Sequence, residues 1–129
     1  MVLINKGEAN TVIMTLTERV TISNPYFLFV FRLRQSPSNE VKLLASNEST
    51  VTVRYDKFTI ADTATPNALN GEGNFTITGE WEYIVYQVAT ATLTIPSDSN
   101  ILERGIAKVV GDESTITAYN NTLNVTVYE

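Results

Sequence analysis

Carboxylates are the side chains of this sequence best suited to acid–base chemistry. The chain has no His and no Cys, which excludes Cys–His and Ser–His–Asp nucleophilic sites and Cys/His metal sites. Glu80 and Glu82 would share one face of a strand, and Asp112 and Glu113 are neighbours in a predicted turn. Paired carboxylates can cleave a glycosidic bond when they flank it. Because Trp81 is the single Trp of the chain, neither pair has a Trp-rich sugar groove, and we assign no catalytic residue.

The possible oxygen ligands and the glycine-containing turn of the sequence do not indicate a metal-binding or phosphate-binding site. Asp98, Asn100 and the Asp112–Glu113 turn could offer oxygens to calcium, but their spacing matches neither an EF-hand nor a repeated calcium loop. Gly71–Glu72–Gly73 is bordered by Asn residues and does not lead into a helical pattern, so it predicts a hairpin tip and not a phosphate loop. The sequence therefore predicts no metal and no cofactor.

Composition excludes several classes of partner. The 129 residues carry a net charge of −5 with a pI of about 4.7, whereas a nucleic-acid-binding surface needs basic residues to displace counterions. Arg32, Arg34 and Lys42 are predicted to lie on a solvated strand face. The longest apolar run, Tyr26–Phe31, is too short to span a bilayer, and residues 1–6 are too short for a signal sequence. We expect no nucleic acid, no membrane, and synthesis in a cytosol.

The elements that would position these residues are strands, because apolar residues recur with period two. The clearest is Tyr26–Arg34, with an apolar face of Phe27, Phe29 and Phe31. About eight strands separated by turn residues predict one all-β domain over residues 1–129, an antiparallel β-sandwich of immunoglobulin-like type. The predicted strands are Thr11–Leu16, Tyr26–Arg34, Glu40–Leu44, Val51–Tyr55 with Phe58–Ile60, Phe75–Thr78, Trp81–Val88, Leu102–Val110, Thr115–Tyr119 and Thr122–Tyr128. Turns are predicted at Ser36–Asn39, a loop at Asp62–Gly73 and a single helical turn around Ile101–Arg104.

Aromatic residues provide the candidate interface. On strand Trp81–Val88 one face carries Trp81 and Tyr83 and the other carries Tyr86, so both faces are more apolar than a solvated strand requires. One interpretation is a central strand with a core on one face. The other is that these residues, with Tyr26, meet another subunit, since Trp and Tyr are enriched at interfaces. The candidate interface residues are thus Trp81, Tyr83, Tyr86 and Tyr26.

Several blocks of sequence, in this order, resemble a known group of proteins. They are Leu16–Thr21, Asn24–Phe31, Arg54–Phe58, Gly79–Gln87, Glu103–Gly111 and Tyr119–Asn120. Together they span most of the chain, and the sequence resembles small virion structural proteins of tailed phages of Bacteroidota, including the crAss-like group.

The resemblance implies a non-enzymatic virion component, of the capsid auxiliary or decoration type, which contacts other virion proteins and copies of itself. The alternative is a β-sandwich binding or adaptor module of a head fibre or tail that binds a receptor or glycan. The acidic charge favours the outer surface of the particle over its DNA-filled interior. Candidate docking elements are the segment Met1–Asn10, the loop Asp62–Gly73 and the terminal strand.

Overall fold

The computed structural model describes residues 2–111, which fold into an all-β sandwich of eight strands. The strand bounds are β1 Val2–Asn5, β2 Ala9–Met14, β3 Tyr26–Leu33, β4 Ser36–Ala45, β5 Asp56–Asp62, β6 Glu72–Gly73, β7 Gly79–Val88 and β8 Ile101–Val110. The helical elements of this part are three short 3-10 turns, Thr17–Arg19, Ala68–Asn70 and Asp98–Asn100. None of these helices is long or apolar enough to cross a membrane.

The strands form two sheets. The larger sheet has the order β1-β8-β7-β3-β4, and the smaller has the order β2-β5-β6. Pairing is antiparallel except that β1 runs parallel to β8 and β6 parallel to β5. With β2 and β5 facing the row β8-β7-β3-β4, the arrangement corresponds to that of an immunoglobulin-like sandwich. The predicted fold class is confirmed.

The main core lies between the two sheets, where the alternation of β3 places it. Phe29 and Phe31 are fully buried, and Phe27 is nearly so. The ring of Phe58 on β5 meets the edges of both Phe27 and Phe29, with centroids 5.2 and 5.1 Å away. Edge-to-face contacts of this kind are favourable beyond the area they bury. The sandwich thus depends on contacts between residues far apart in sequence.

A second apolar cluster lies on the outer face of the larger sheet. Its fully or almost fully buried members are Leu28, Val30, Leu44, Ile84, Tyr86 and Val88. Residues 89–100, which connect β7 to β8, fold back over this face, and Leu93 and Ile95 pack against it together with Ile101. Both apolar faces of β7 are therefore buried by other parts of the same chain.

Some local predictions are wrong in instructive ways. The β3–β4 turn lies at residues 34–35, and Ser36–Asn39 belongs to β4, where three extra residues are accommodated between Ser36 and Glu40. Val51–Tyr55 forms a turn and not a strand, because the Val51 carbonyl accepts bonds from the amides of Arg54 and Tyr55. Phe75–Thr78 is likewise not a strand.

Other differences concern element ends. Val2–Asn5 is a strand that the apolar pattern was too short to reveal. Ile101–Arg104 begins β8, and the helical turn lies just before it. The loop Asp62–Gly73 contains a 3-10 turn and β6. The predicted strands Thr115–Tyr119 and Thr122–Tyr128 lie outside the described residues.

Candidate docking surface

The four predicted interface aromatics do not share a surface. Trp81 and Tyr83 are 1% and 4% exposed in the main core, and Tyr86 is 3% exposed in the outer cluster. This corrects the interface interpretation for these three residues. β7 is the middle strand of its sheet, and its buried side chains are covered by the smaller sheet on one face and by residues 89–100 on the other. Tyr26, at 46% exposure, remains available to a partner.

The polar groups of the buried aromatic side chains Trp81 and Tyr83 both have hydrogen-bond partners. Trp81 donates its indole N–H to the carbonyl of Ile77 at 3.0 Å, and the hydroxyl of Tyr83 donates to Glu103 at 2.5 Å. Burial, and then the bond to the negatively charged Glu103, raise the pKa of Tyr83 above its ordinary value. Gly105 is required beside this ring, because a Cβ there would lie 2.7 Å from it.

The predicted carboxylate pair lies on the outer surface. Glu80 and Glu82 are both exposed, and Glu80 forms an ion pair with Arg34 at 2.8 Å. Glu82 lines a small pocket with Ile84, Arg104, Gly105 and Ile106, in which Tyr83 is the single aromatic side chain. Asp98 and Asn100 belong to a turn in which the Asn100 amide donates to the Ser97 carbonyl. The turn Asp112–Glu113 lies outside the described residues.

Three long connections meet at one end of the sandwich, which we name the three-loop end. They are residues 15–25 between β2 and β3, residues 46–55 between β4 and β5, and residues 89–100 between β7 and β8. The strand register brings them together, because Tyr26 pairs with Val88 and Phe27 with Ala45. In immunoglobulin variable domains, loops at one end of the sandwich form the binding surface. These loops are rich in Thr, Ser and Asn.

The buried carboxylate of Asp56 anchors residues 15–25, the first of these loops, by hydrogen bonds. We call such an anchoring contact a fastening. Asp56 is 0% exposed and accepts bonds from the amides of Leu16 and Thr17 and from the hydroxyl of Thr17. Asn47 adds a fourth bond, at 2.6 Å. Burial alone would raise the pKa of Asp56, but the bonds from Thr17, Leu16 and Asn47 outweigh it and hold the pKa below its ordinary value. An ionised carboxylate with every oxygen occupied by donors is a fastening group and not an acid–base catalyst.

Asn47 extends this network into the second loop. Its side-chain oxygen accepts bonds from the amides of Ser49 and Lys57 at 3.0 and 3.1 Å, while its nitrogen donates to Asp56. The hydroxyl of Ser49 then accepts from the amide of Val51. Residues 46–55 are therefore held in one conformation by local polar bonds, as happens when Asn and Ser close turns.

Gln87, at the end of β7, fastens the far half of the first loop. It is 2% exposed, and its side-chain oxygen accepts bonds from the amides of Thr21 and Ile22, while its nitrogen donates to the Thr21 hydroxyl at 2.7 Å. Arg19 also donates to the carbonyl of Leu102 on β8 at 2.6 Å. The loop thus bridges both sheets.

A cleft of about 280 Å³ opens between the first two loops. Beside it, the turn over residues 51–55 presents Val53, whose side chain is 92% exposed, the most exposed of the large hydrophobic side chains in the described part of the chain. Tyr26 adds an exposed aromatic side chain at the same end. The cleft is lined by Thr15, Thr17, Glu18, Thr52, Val53, Arg54 and Asp56.

The opposite end is fastened in a similar way by residues that the sequence did not single out. Asp62 accepts bonds from the amides of Gly7 and Phe75 at 2.8 and 2.7 Å. Asn10 accepts from the amide of Asn5 and donates to the carbonyl of Ile60. Both polar side chains are nearly inaccessible. Sequence spacing does not mark Asp62, because its partners lie 55 and 13 residues away, and Asn10 combines local bonds to Asn5 and Glu8 with a bond to the distant Ile60.

Comparisons with known proteins assign this chain to no family. No family model matches the chain, and no curated protein does. Among solved structures, a candidate glycoside hydrolase from Bacteroides vulgatus superposes with a TM-score of 0.47 at 6% sequence identity. The match covers 87% of this chain but 17% of that protein. A similarity this distant carries no argument about activity.

Proposed function

We propose that this protein is a non-catalytic docking domain, a structural component of a phage virion of the capsid auxiliary or decoration type, and that it contacts its partner through the three-loop end. The observation that carries the docking role is the fastening of two loops by Asp56, Asn47 and Gln87. Loops that are ordered before binding lose less conformational entropy when a partner docks.

The blocks that carry the phage resemblance contain most residues of this network, although Asn47 and Ile22 lie outside them. Leu16, Thr17 and Thr21 belong to the first block, Asp56 to the Arg54–Phe58 block and Gln87 to the end of the Gly79–Gln87 block. The resemblance therefore includes the fastening of the three-loop end as well as the apolar core. This agreement supports a role in which the shape of that end matters.

The described residues also favour docking over catalysis. Asp56 is occupied by donors from the backbone and from neighbouring side chains, and the exposed Glu80 is engaged in an ion pair with Arg34. Val53 and Tyr26 offer apolar and aromatic surface at the end that the loops form. Tyr is enriched among the residues that dominate binding at protein interfaces, and exposed apolar surface beside it is suited to a protein partner.

The virion role is tested with purified particles. Density-gradient-purified virions from a culture that carries the coding sequence are digested and analysed by mass spectrometry, with the particle-free supernatant as control. We expect peptides of this chain at a constant ratio to the major capsid protein through the gradient peak. Peptides confined to the supernatant would contradict the proposal.

A glycan-binding module is the second candidate, and exposed Tyr26 beside Thr-rich loops favours it. A sugar ring can stack on a Tyr side chain while hydroxyl groups of the loops bind its polar edges. Binding of the full chain to a glycan array, lost in Tyr26→Ala and kept in Tyr55→Ala, would favour this candidate over a protein partner.

A further inference from the structure

The free edges of the two sheets differ in how well they are protected against pairing with another strand. Exposed edges offer unpaired main-chain N–H and C=O groups, and proteins usually blunt them with charges, Pro, bulges or short length. Within residues 2–111, the outer strands are β1 and β4 of the larger sheet and β2 and β6 of the smaller sheet.

Three of these edges carry such protection. β4 contains Pro37, an irregularity opposite Arg32 and Leu33, and the charged residues Glu40 and Lys42. β6 is two residues long and includes Glu72. β1 has four residues. Each of these strands is therefore too short, too irregular or too charged to accept a long partner strand.

β2 lacks all of these protections. Its six residues, Ala9–Met14, contain no charge, no Pro and no Gly. One side of the strand pairs regularly with β5 from Ala9 to Met14, and no described strand lies on its other side. On its outer face the exposed Ile13 has 57% of its surface accessible, next to the exposed Thr11.

We propose that the β2 edge is a self-association surface, at which β2 of a second copy of this chain pairs antiparallel and joins the two smaller sheets into one. Two-fold pairing centred on Val12 places Ile13 opposite Thr11 of the partner subunit, on the same outer face. Cross-strand pairs of β-branched side chains are favourable. Because β2 is uncharged, self-pairing brings no like charges together along the strand.

A single strand edge buries less area than a standard protein interface, so the free chain forms a weak dimer. Many copies held side by side on a surface would pair more completely, because tethering raises their effective concentration. This surface lies outside the three-loop end and does not depend on the proposed virion role.

Sedimentation velocity of the full chain over a concentration series tests the proposal. We expect a sedimentation coefficient that rises with concentration toward that of a dimer, and association at least about tenfold weaker in Ile13→Lys. Leu69→Lys is the matched control, because Leu69 is also 57% exposed but lies on a 3-10 turn. It should associate like the original chain.

Thr11→Lys provides a second variant at the same edge, which decides the matter if Ile13→Lys fails to fold. Hydrogen exchange locates the contact, because amides of β2 should gain protection as concentration rises while those of β4 should not. A chain that stays monomeric up to about 1 mM would overturn the proposal. So would a dimer that both edge variants leave intact, or one that Leu69→Lys abolishes.

Discussion

Residues 15–25 and residues 89–100 lie at the same end of the sandwich but differ in their contacts. Within residues 2–111, only the first loop adds hydrogen bonds with buried side chains of the strands to its apolar packing through Leu16 and Val20. The first loop is fastened by Asp56 and Gln87 through hydrogen bonds to its main chain. The second rests on the outer apolar cluster through Leu93 and Ile95. Hydrogen bonds fix both position and direction, whereas apolar contact resists removal but tolerates sliding. We therefore expect the first loop to define the shape of the docking surface and the second mainly to shield the sheet.

The largest effect in this comparison is expected from Asp56→Ala. The amides of Leu16 and Thr17 would lose their acceptor, and buried donors left without partners destabilise a fold, here by about 2–3 kcal/mol. Urea unfolding measures the change in the free energy of unfolding. Asp98→Ala, an exposed carboxylate in the second loop, is the control and should change that free energy by less than about 0.5 kcal/mol. Equal changes in the free energy of unfolding for the two variants would contradict the proposed difference in how the two loops are held.

Acid should loosen the first loop before the second. The pKa of Asp56 is lowered in the folded state, so its ionised form contributes stability that is fully present above the carboxyl pKa of the unfolded chain. That contribution is lost as pH falls through the folded-state pKa. Hydrogen exchange followed from about pH 5 down to about pH 2, a range that starts above the ordinary carboxyl pKa and extends below it, should show lost protection of the Leu16 and Thr17 amides at its acid end. Asp56→Asn should remove this pH dependence.

The smallest effect is expected from Leu93→Ser. Leu93 is partly buried over the outer cluster, so its replacement should lower the free energy of unfolding by only about 1 kcal/mol. The same variant should increase binding of a fluorescent apolar dye, because the cluster beneath would be exposed more often. Thr90→Ser, at an exposed position of the same loop, should leave dye binding unchanged. An unchanged dye signal in Leu93→Ser would mean that Leu93 does not shield the cluster.

The long strands could be predicted from the sequence because their alternation is strong. β3 and β7 were both found, with Phe29 correctly placed in the core. The cover on the outer face could not be predicted, because Leu93 and Ile95 lie in a Thr-rich segment with no sustained period. One of the two interpretations of the apolar strand face therefore invoked a second subunit, whereas the chain covers that face itself.

The fastening groups were missed for a different reason. Asp56 directly follows a predicted strand, Val51–Tyr55, that is a turn in the structure. Its main partners are main-chain amides some 40 residues away in sequence. Nothing local distinguishes such a carboxylate from a solvated one. In this chain the alternation of apolar side chains predicted the core. The three-loop end depends on long-range polar contacts, which alternation does not predict.

The parallel pairing of β1 with β8 has a consequence for how the protein is made. Val2 lies beside Ala107, roughly 100 residues later in the chain. During translation the first strand therefore has no partner until almost all of the described sandwich has left the ribosome. Long-range closure of this kind slows folding, because chain entropy must be lost before the contact forms. We expect the sandwich to be completed only after β8 has been synthesised, so that the first strand is among the last to pair.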